Sequence, residues 1–157
     1  MLPPGTAAPV SFHALTASDV PRLRQMLGLF GEAFHDRETY TARQPSDDYL
    51  RALLVRDTFI AVAAICGSEL VGGLAAYVLP KFEQARSEVY IYDLATHDAY
   101  RRRGVATGMI QVLKSIAVTK GARGIFVQAD YGDDPAVQLY TKLGEREDVM
   151  HFDISCN

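Results

Sequence analysis

The chain has 157 residues, 48% of them hydrophobic and 22% charged, with a formal net charge of -3, which fits one globular domain with a single core. The mild acidity disfavours a nucleic-acid binder, and no apolar run approaches the roughly 20 residues of a membrane-spanning helix. The two cysteines, Cys66 and Cys156, stand outside any metal-ligand spacing, so we expect no metal and a reduced, cytoplasmic (bacterial) setting without a secretion signal.

One strand, two helices and a hairpin are predicted in the first half of the chain. Residues 1–9 are rich in proline and alanine and are expected to be flexible, so that the domain spans 10–157. The strand "VSFHAL" precedes a helix capped by Ser18 or Asp19, and a shorter helix begins at Ser46 or Asp47. The β-branched segments "TFIAVAAIC" and "ELVGGLAAYVL" predict a hairpin that ends at Pro80.

Strands and helices alternate in the second half. The apolar and aromatic segment "SEVYIYDLA" predicts a central strand, and a helix follows "YRRRG" and ends at Gly121. After the strand "GIFVQA" comes the helix "DPAVQLYTKL", with Asp134 as N-cap and Pro135 at its first position. "DVMHFDIS" predicts a final strand. This order indicates an α/β fold with a mixed antiparallel and parallel sheet and flanking helices.

Three arginines meet a glycine just before a predicted helix, in "HDAYRRRGVATGMI", residues 97–110. The first N–H groups of a helix have no internal partner, and the helix dipole is positive at that end. Such a turn can bind a phosphate or pyrophosphate, or it can be an ordinary solvated basic turn. The glycine fingerprints of dinucleotide-binding and P-loop proteins are absent from the sequence, so a nucleotide-binding domain is disfavoured.

The segment "YRRRGVA" resembles the Arg/Gln-x-x-Gly-x-Gly/Ala loop of the GNAT family of N-acetyltransferases, matched by Arg101, Gly104 and Ala106. The preceding strand resembles the splayed central strand of that family, and "DPAVQLYTKLG" resembles its following motif. The resemblance implies a single-domain GNAT fold that binds acetyl-CoA. It implies that the pyrophosphate and the pantetheine arm are held by two groups of residues: Arg101, Arg102, Arg103, Gly104, Val105, Ala106 and Thr107, and the backbone of Leu94, Ala95 and Thr96.

Two side chains are candidates for the chemistry. Tyr140 matches the general acid of the family, which protonates the departing thiolate, although a tyrosine on an amphipathic helix can simply pack. Asp93 interrupts an apolar strand, and a buried carboxylate is costly unless it is paired. It can accept a proton from the substrate ammonium, hold that ammonium in place, or make a structural bond; we favour the roles that face the substrate.

Two longer strings resemble the gentamicin-modifying aminoglycoside 3-N-acetyltransferases of type I: "FIAVAAICGSELVGGLAAYVLPKFEQARSEVYIYDLA" and "FVQADYGDDPAVQLYTKLGEREDVMHFDI". The resemblance implies a small polycationic substrate, acetylated at a 3-amino group, and antibiotic resistance as the outcome. It also implies a homodimer, since many members pair. Candidate substrate contacts are Asp93, Glu88, Tyr92, Asp130, Asp133 and Asp153. Family members often carry an asparagine where this chain has Asp133 or Asp134, so Asp133 is a candidate for either the pantetheine arm or the substrate.

Two alternatives remain open at this stage. The same chemistry can act on another amine, such as a polyamine or a peptide terminus. A non-catalytic acyl-CoA-binding module would keep the anion loop without using Tyr140 and Asp93. Measuring acetyl transfer to a panel of amines distinguishes these two alternatives from an aminoglycoside acetyltransferase.

Overall fold

Five strands form one mixed sheet in a computed structural model of the chain, which describes residues 8–157. The strands are β1 Val10–Ala14, β2 Phe59–Cys66, β3 Glu69–Pro80, β4 Ser87–Thr96 and β5 Ala122–Val127, and they follow one another in that order across the sheet. The first four are antiparallel to their neighbours, whereas β5 runs parallel to β4. The predicted mixed sheet is therefore confirmed. Residues 1–7 of the segment predicted to be flexible lie outside the described residues.

Helices cover both faces of the sheet. The helices α1 Val20–Ala33, α2 Arg37–Tyr40 and α3 Asp47–Leu54 lie on one face, and α4 Val105–Thr119 and α5 Asp134–Leu143 lie on the other. Each face has its own apolar core, and β2 contributes to both by alternation: Val62 packs on the α4 side and Ala63 on the α1 side. Because both of its faces are covered, β2 is apolar along almost its whole length. No helix within residues 8–157 is long and apolar enough to cross a membrane.

Two glycines let the helices approach the sheet closely. A Cβ at Gly73 would lie 3.0 Å from Cγ of Met26 on α1, and a Cβ at Gly108 would lie 2.1 Å from Cζ of Phe12 on β1. Real Cβ atoms essentially never come as close as the second distance. Gly108 therefore sets the depth to which α4 settles on β1.

The caps of the helices differ in part from the predicted ones. Ser46 caps α3, since its hydroxyl accepts a hydrogen bond from the N–H of Tyr49 at 3.2 Å, as predicted. The N-cap of α5 is Asp133, whose carboxylate accepts from the N–H of Ala136, and not Asp134, which is already helical. Proline is tolerated one position later than predicted because all the first N–H groups of a helix lack internal partners.

The elements differ from the prediction at two further places. Helix α2 was not predicted at all. The predicted final strand is absent, because residues 145–157 have the alternating pattern of a strand but lie beside no other strand in the structure. β4 is an internal strand, as expected, and pairs with β3 on one side and β5 on the other, whereas β5 is the edge strand.

Candidate active site

β4 extends beyond the end of β5, and the space beside its free edge is called the cleft below. The two strands pair only as far as Ile91 opposite Val127, whereas β4 continues against β3 as far as Thr96 opposite Gly72. Ala75 pairs with Asp93 and Ala76 with Ile91, so Tyr92 is an extra residue that bulges from β4. Beyond this bulge, the backbone of residues 92–96 faces no other strand on the β5 side within residues 8–157. This free edge agrees with the splayed strand that the resemblance implied.

Residues 101–104, here called the arginine turn, form a concave backbone between the end of β4 and the start of α4. Arg102 and Gly104 both have positive φ, 61° and 75°, and Gly104 is the N-cap of α4. The N–H of Gly108 donates to the carbonyl of Gly104 at 2.9 Å. The N–H groups of residues 105–107 come before this bond and thus have no partner within the helix. Alternating left- and right-handed residues with outward N–H groups bind anions, and the first turn of α4 holds no acidic residue that would compete.

Side chains around this turn keep the arginines at the surface. The guanidinium of Arg101 contacts the carboxylate of Asp98 at 3.1 Å, and that of Arg103 lies 5.3 Å from the ring centroid of Tyr100. All three arginines are exposed, so their charge is available to a ligand of the turn. The positive φ values and the three N–H groups favour the anion site over an ordinary basic turn.

Tyr140 lies on the α4 side of the sheet. Its ring is half-buried on α5 and packs against the apolar core that α4 shares with β4. Burial, and to a smaller extent the negative charge of Asp133, raise the pKa of Tyr140 to about 12. The phenol therefore stays protonated at neutral pH, which is the state that a proton donor needs.

Asp93 lies on the opposite face, the α1 side, and is held by a residue that the sequence did not reveal. The hydroxyl of Tyr40 on α2 donates a hydrogen bond to Oδ1 of Asp93 at 2.7 Å. Burial raises the pKa of the Asp93 carboxyl, and the bond from Tyr40 partly offsets this by lowering it. Burial, followed by the same bond, raises the pKa of Tyr40. Tyr40 thus fixes the orientation of a carboxylate that is partly withdrawn from water.

The position of Tyr40 depends on an aromatic cluster at the end of α1. Its ring lies 5.9 Å from that of Phe30 and 5.7 Å from that of Phe34, between ring centroids. The i, i+4 spacing of Phe30 and Phe34 is visible in the sequence and predicts an aromatic pair on one side of the helix. It does not indicate which later residue completes the cluster.

A row of aromatic rings crosses the sheet beside Asp93. The rings of Tyr77 and Tyr92 are 5.9 Å apart between centroids, those of Tyr92 and Tyr90 5.5 Å, and those of Tyr90 and Phe126 4.6 Å. Tyr92, at the bulge, is 61% exposed. The predicted contact Tyr92 therefore borders Asp93 and offers an aromatic face on which a sugar ring can stack.

The remaining predicted acidic residues lie at different places. Asp130 and Asp133 belong to the exposed loop after β5, and the carbonyl of Asp130 accepts the N–H of Asp133 at 3.2 Å. Glu88 lies five residues before Asp93 on β4, where Arg86 at 3.1 Å and Lys81 at 4.0 Å neutralise it. Asp153 lies in the exposed segment 145–157, and its carboxylate contacts Nε2 of His151 at 2.9 Å. The structure thus brings the loop acids to the cleft end of β5 and leaves Glu88 engaged elsewhere.

Within the described part of the chain, no three His, Cys, Asp or Glu side chains come together as a metal site would require. Cys66 and Cys156 are both free thiols. The predicted absence of a metal stays a prediction. The groups present suit an acyl transfer that uses backbone amides, one carboxylate and one phenol.

Several known proteins resemble the chain. It is 52% identical to an aminoglycoside acetyltransferase from an uncultured soil metagenomic sample, whose crystal structure matches with a TM-score of 0.93 over 95% of this chain and 99% of that one. A second soil metagenomic aminoglycoside acetyltransferase, crystallised in complex with sisomicin, is 29% identical, with a TM-score of 0.85 over 94% of this chain and 97% of that one. An N-alpha-acetyltransferase of Sulfurisphaera tokodaii is 26% identical over 96 residues; the match covers 54% of this chain and 58% of that relative.

The model of the acetyltransferase (GNAT) family matches residues 22–144, which extend from α1 to the end of α5. This range contains the splayed strand, the arginine turn, Asp93 and Tyr140. The match over this range establishes that the chain belongs to the GNAT family of acetyltransferases.

Proposed function

We propose that the chain transfers the acetyl group of acetyl-CoA to an amino group of an aminoglycoside, at the 3-amino position in gentamicin-like substrates. The observation that carries this proposal is the bulge at Tyr92. After the bulge, β4 has a free backbone edge, and the arginine turn follows the end of this strand. A half-buried carboxylate and exposed aromatic rings lie beside the bulge. The 52% identity to an aminoglycoside acetyltransferase supports the choice of acceptor.

The donor is held by the backbone of the cleft. The N–H groups of residues 105–107 and the three arginines before them take the pyrophosphate, because they supply charge and directed donors together. The edge of residues 92–96 takes the amide groups of the pantetheine arm as a neighbouring strand would. The N–H of Leu94 or Ala95 then donates to the thioester carbonyl oxygen, and such a donor contributes about 3 kcal/mol to the transition state.

Acceptor and leaving group lie on opposite faces of β4. Asp93 on the α1 side holds the substrate ammonium and takes its proton, directly or through water. The neutral amine attacks the carbonyl carbon of the thioester, the C–S bond breaks, and Tyr140 on the α4 side gives its proton to the thiolate. For both groups to reach one acetyl group, that group must lie in the cleft beside the free edge of β4.

The acceptor surface suits a polycationic sugar. Tyr92 and Tyr77 present aromatic faces beside Asp93, and the loop acids Asp130 and Asp133 add negative charge at the end of β5. Each further ammonium group of an aminoglycoside gains from such a charge. A peptide N-terminus carries a single ammonium and would use less of this surface.

The experiment that tests the proposal measures release of free CoA from acetyl-CoA with gentamicin, kanamycin, spermidine and a generic peptide. We expect release with gentamicin-like substrates, and NMR of the product identifies the acetylated nitrogen. Asp93→Asn serves as the matched control for each amine. Release with spermidine or the peptide alone would contradict the aminoglycoside acceptor. CoA binding without release from any amine would favour a non-catalytic acyl-CoA-binding module.

A further inference from the structure

The negative charge of Asp93 is not balanced by a basic side chain. Within residues 8–157 its carboxylate forms no ion pair. Its hydrogen bond comes from the neutral phenol of Tyr40 at 2.7 Å. A carboxylate that is partly withdrawn from water gains from a nearby cation, because burial penalises its charged form. Asp93 is therefore suited to meet a cation that a ligand brings.

Two tyrosine rings lie at right angles beside this carboxylate. Tyr77 comes two residues after Ala75, which pairs with Asp93, so Tyr77 and Asp93 share the α1 side of the sheet. The ring of Tyr92 is 5.9 Å from that of Tyr77 between centroids, and the two ring planes meet at 87°. Tyr77 is 39% exposed and Tyr92 61%, so a ligand can reach both rings.

The negative charge of Asp93 acts on the phenols around it. Burial raises the pKa of Tyr77, and the charge of Asp93 raises it further. The phenols of Tyr49 and Tyr92 make the smaller contributions to this pKa. Burial, then Tyr92, then Asp93 raise the pKa of Tyr90. The same field that disfavours a phenolate at these positions favours a cation.

Perpendicular rings at this separation can hold one cation between them. A cation above a face of both rings would lie about 4 Å from each centroid, inside the roughly 6 Å range of cation–π attraction. The basic side chains of the described residues lie over other rings, with Arg103 over Tyr100 and Arg146 over Tyr131. The rings of Tyr77 and Tyr92 thus remain open to the cation of a ligand.

We propose that Asp93, Tyr77 and Tyr92 form a cage for alkylammonium ions, here called the ammonium cage. The carboxylate meets the charge, and the two rings meet the carbon atoms bound to the nitrogen. The cage rests on the proposed function only in being the place of the acceptor amine, and it adds a class of ligand. Quaternary ammonium ions suit the cage but have no N–H proton to lose, so they bind there without being acetylated.

The first test measures the binding of choline to the full chain without acetyl-CoA, by ligand-detected NMR. The matched probe is the neutral alcohol in which a tert-butyl group replaces the trimethylammonium group, because it has the same shape without the charge. We expect choline to bind about tenfold more tightly than this alcohol. Equal affinities would show apolar contact alone and would overturn the cage, as would a lack of choline binding.

Variants separate the ring of Tyr92 from its hydroxyl. Tyr92→Leu and Asp93→Asn should weaken choline binding by about fivefold or more, whereas Tyr92→Phe keeps the ring and should bind within about twofold of the wild type. The matched control is Phe82→Leu, since Phe82 is a ring, 101% exposed, in the connection between β3 and β4; we expect unchanged binding. If folded Tyr92→Leu, checked by circular dichroism, binds choline like the wild type, the proposal fails. An equal loss in Tyr92→Phe would also refute the role of the ring.

The second test asks whether the cage is the acceptor site. Release of CoA with gentamicin is measured at increasing tetramethylammonium, which has neither an N–H nor a hydroxyl to acetylate. We expect a higher KM for gentamicin at an unchanged kcat, with the KM for acetyl-CoA unaffected. Choline binding without this competition would separate the cage from the acceptor site and overturn that part of the proposal. A chain that binds choline as expected but acetylates no aminoglycoside would contradict the proposed function and support the cage.

Discussion

Replacing Tyr40 by phenylalanine removes one hydroxyl and leaves the ring in its contacts with Phe30 and Phe34. The 2.7 Å hydrogen bond to Asp93 is lost. Hydrogen bonds to charged groups contribute about 1.5–3 kcal/mol, and because Tyr40 and Asp93 are both partly exposed we expect the lower end or less, about 1 kcal/mol. If Asp93 acts on the acceptor amine, this loss lowers kcat/KM by roughly fivefold.

The pH dependence gives the sharper readout. The bond from Tyr40 lowers the pKa of the Asp93 carboxyl, so its removal lets the pKa rise under the effect of burial. A carboxylate with a higher pKa becomes protonated at higher pH as the solution is acidified. The acidic limb of kcat/KM against pH should therefore move to higher pH in Tyr40→Phe, with the affinity for acetyl-CoA unchanged.

The matched control is Tyr90→Phe, which removes a hydroxyl that donates to Gln128 at 2.8 Å on the same face of the sheet. We expect its acidic limb to coincide with that of the wild type. If the limbs of Tyr40→Phe and the wild type coincide as well, the bond between Tyr40 and Asp93 is structural and the reasoning about Asp93 fails.

Three further predictions concern the candidate catalytic groups and the packing. Tyr140→Phe should lower kcat by about 100-fold or more while the Kd of acetyl-CoA, measured by calorimetry, stays the same; an equal loss in both would show that the ring only packs. Asp93→Asn should abolish the acidic limb but keep or raise the Tm in calorimetric scans, because a neutral amide replaces a desolvated carboxylate, and a lowered Tm with an unchanged limb would indicate a structural role. Gly108→Ala should cost about 1–3 kcal/mol in urea unfolding because its methyl meets the ring of Phe12, whereas Gly28→Ala, with no atom within 4 Å, should be neutral or stabilising.

Strong local sequence patterns predicted the longer helices and strands, whereas a short isolated helix was not predicted. The hairpin of β2 and β3 follows from two β-branched runs joined at Gly67 and Ser68, and Ser46 is visible as a cap before an apolar period. Helix α2 has four residues, fewer than the two turns that an apolar period needs to become visible. The prediction of a final strand was wrong for a different reason. Alternating apolar and polar residues indicate that a segment can pair as a strand, but the tertiary or quaternary structure determines whether it has a partner.

The residues of the candidate site also divide into those that a local pattern predicts and those that depend on contacts between distant parts of the chain. The arginine turn is local, so a glycine, three arginines and the start of a helix were enough to propose an anion site there, and the structure adds the positive φ of Arg102. Tyr40 and Asp93 are 53 residues apart in the chain, and nothing in the sequence around either residue indicates the other. Contacts of this kind depend on how α1 and α2 settle on the sheet.

The bulge at Tyr92 determines which face of the sheet Asp93 occupies. In strict alternation Asp93 would face the same side as Val89 and Ile91, which are buried in the α4-side core, where a carboxylate would have no partner. The extra residue reverses the alternation, so Leu94 packs on that core and Asp93, opposite Ala75, faces the α1 side and Tyr40. The bulge lies where the pairing with β5 ends, so the irregularity that exposes the backbone edge also presents the carboxylate beside it.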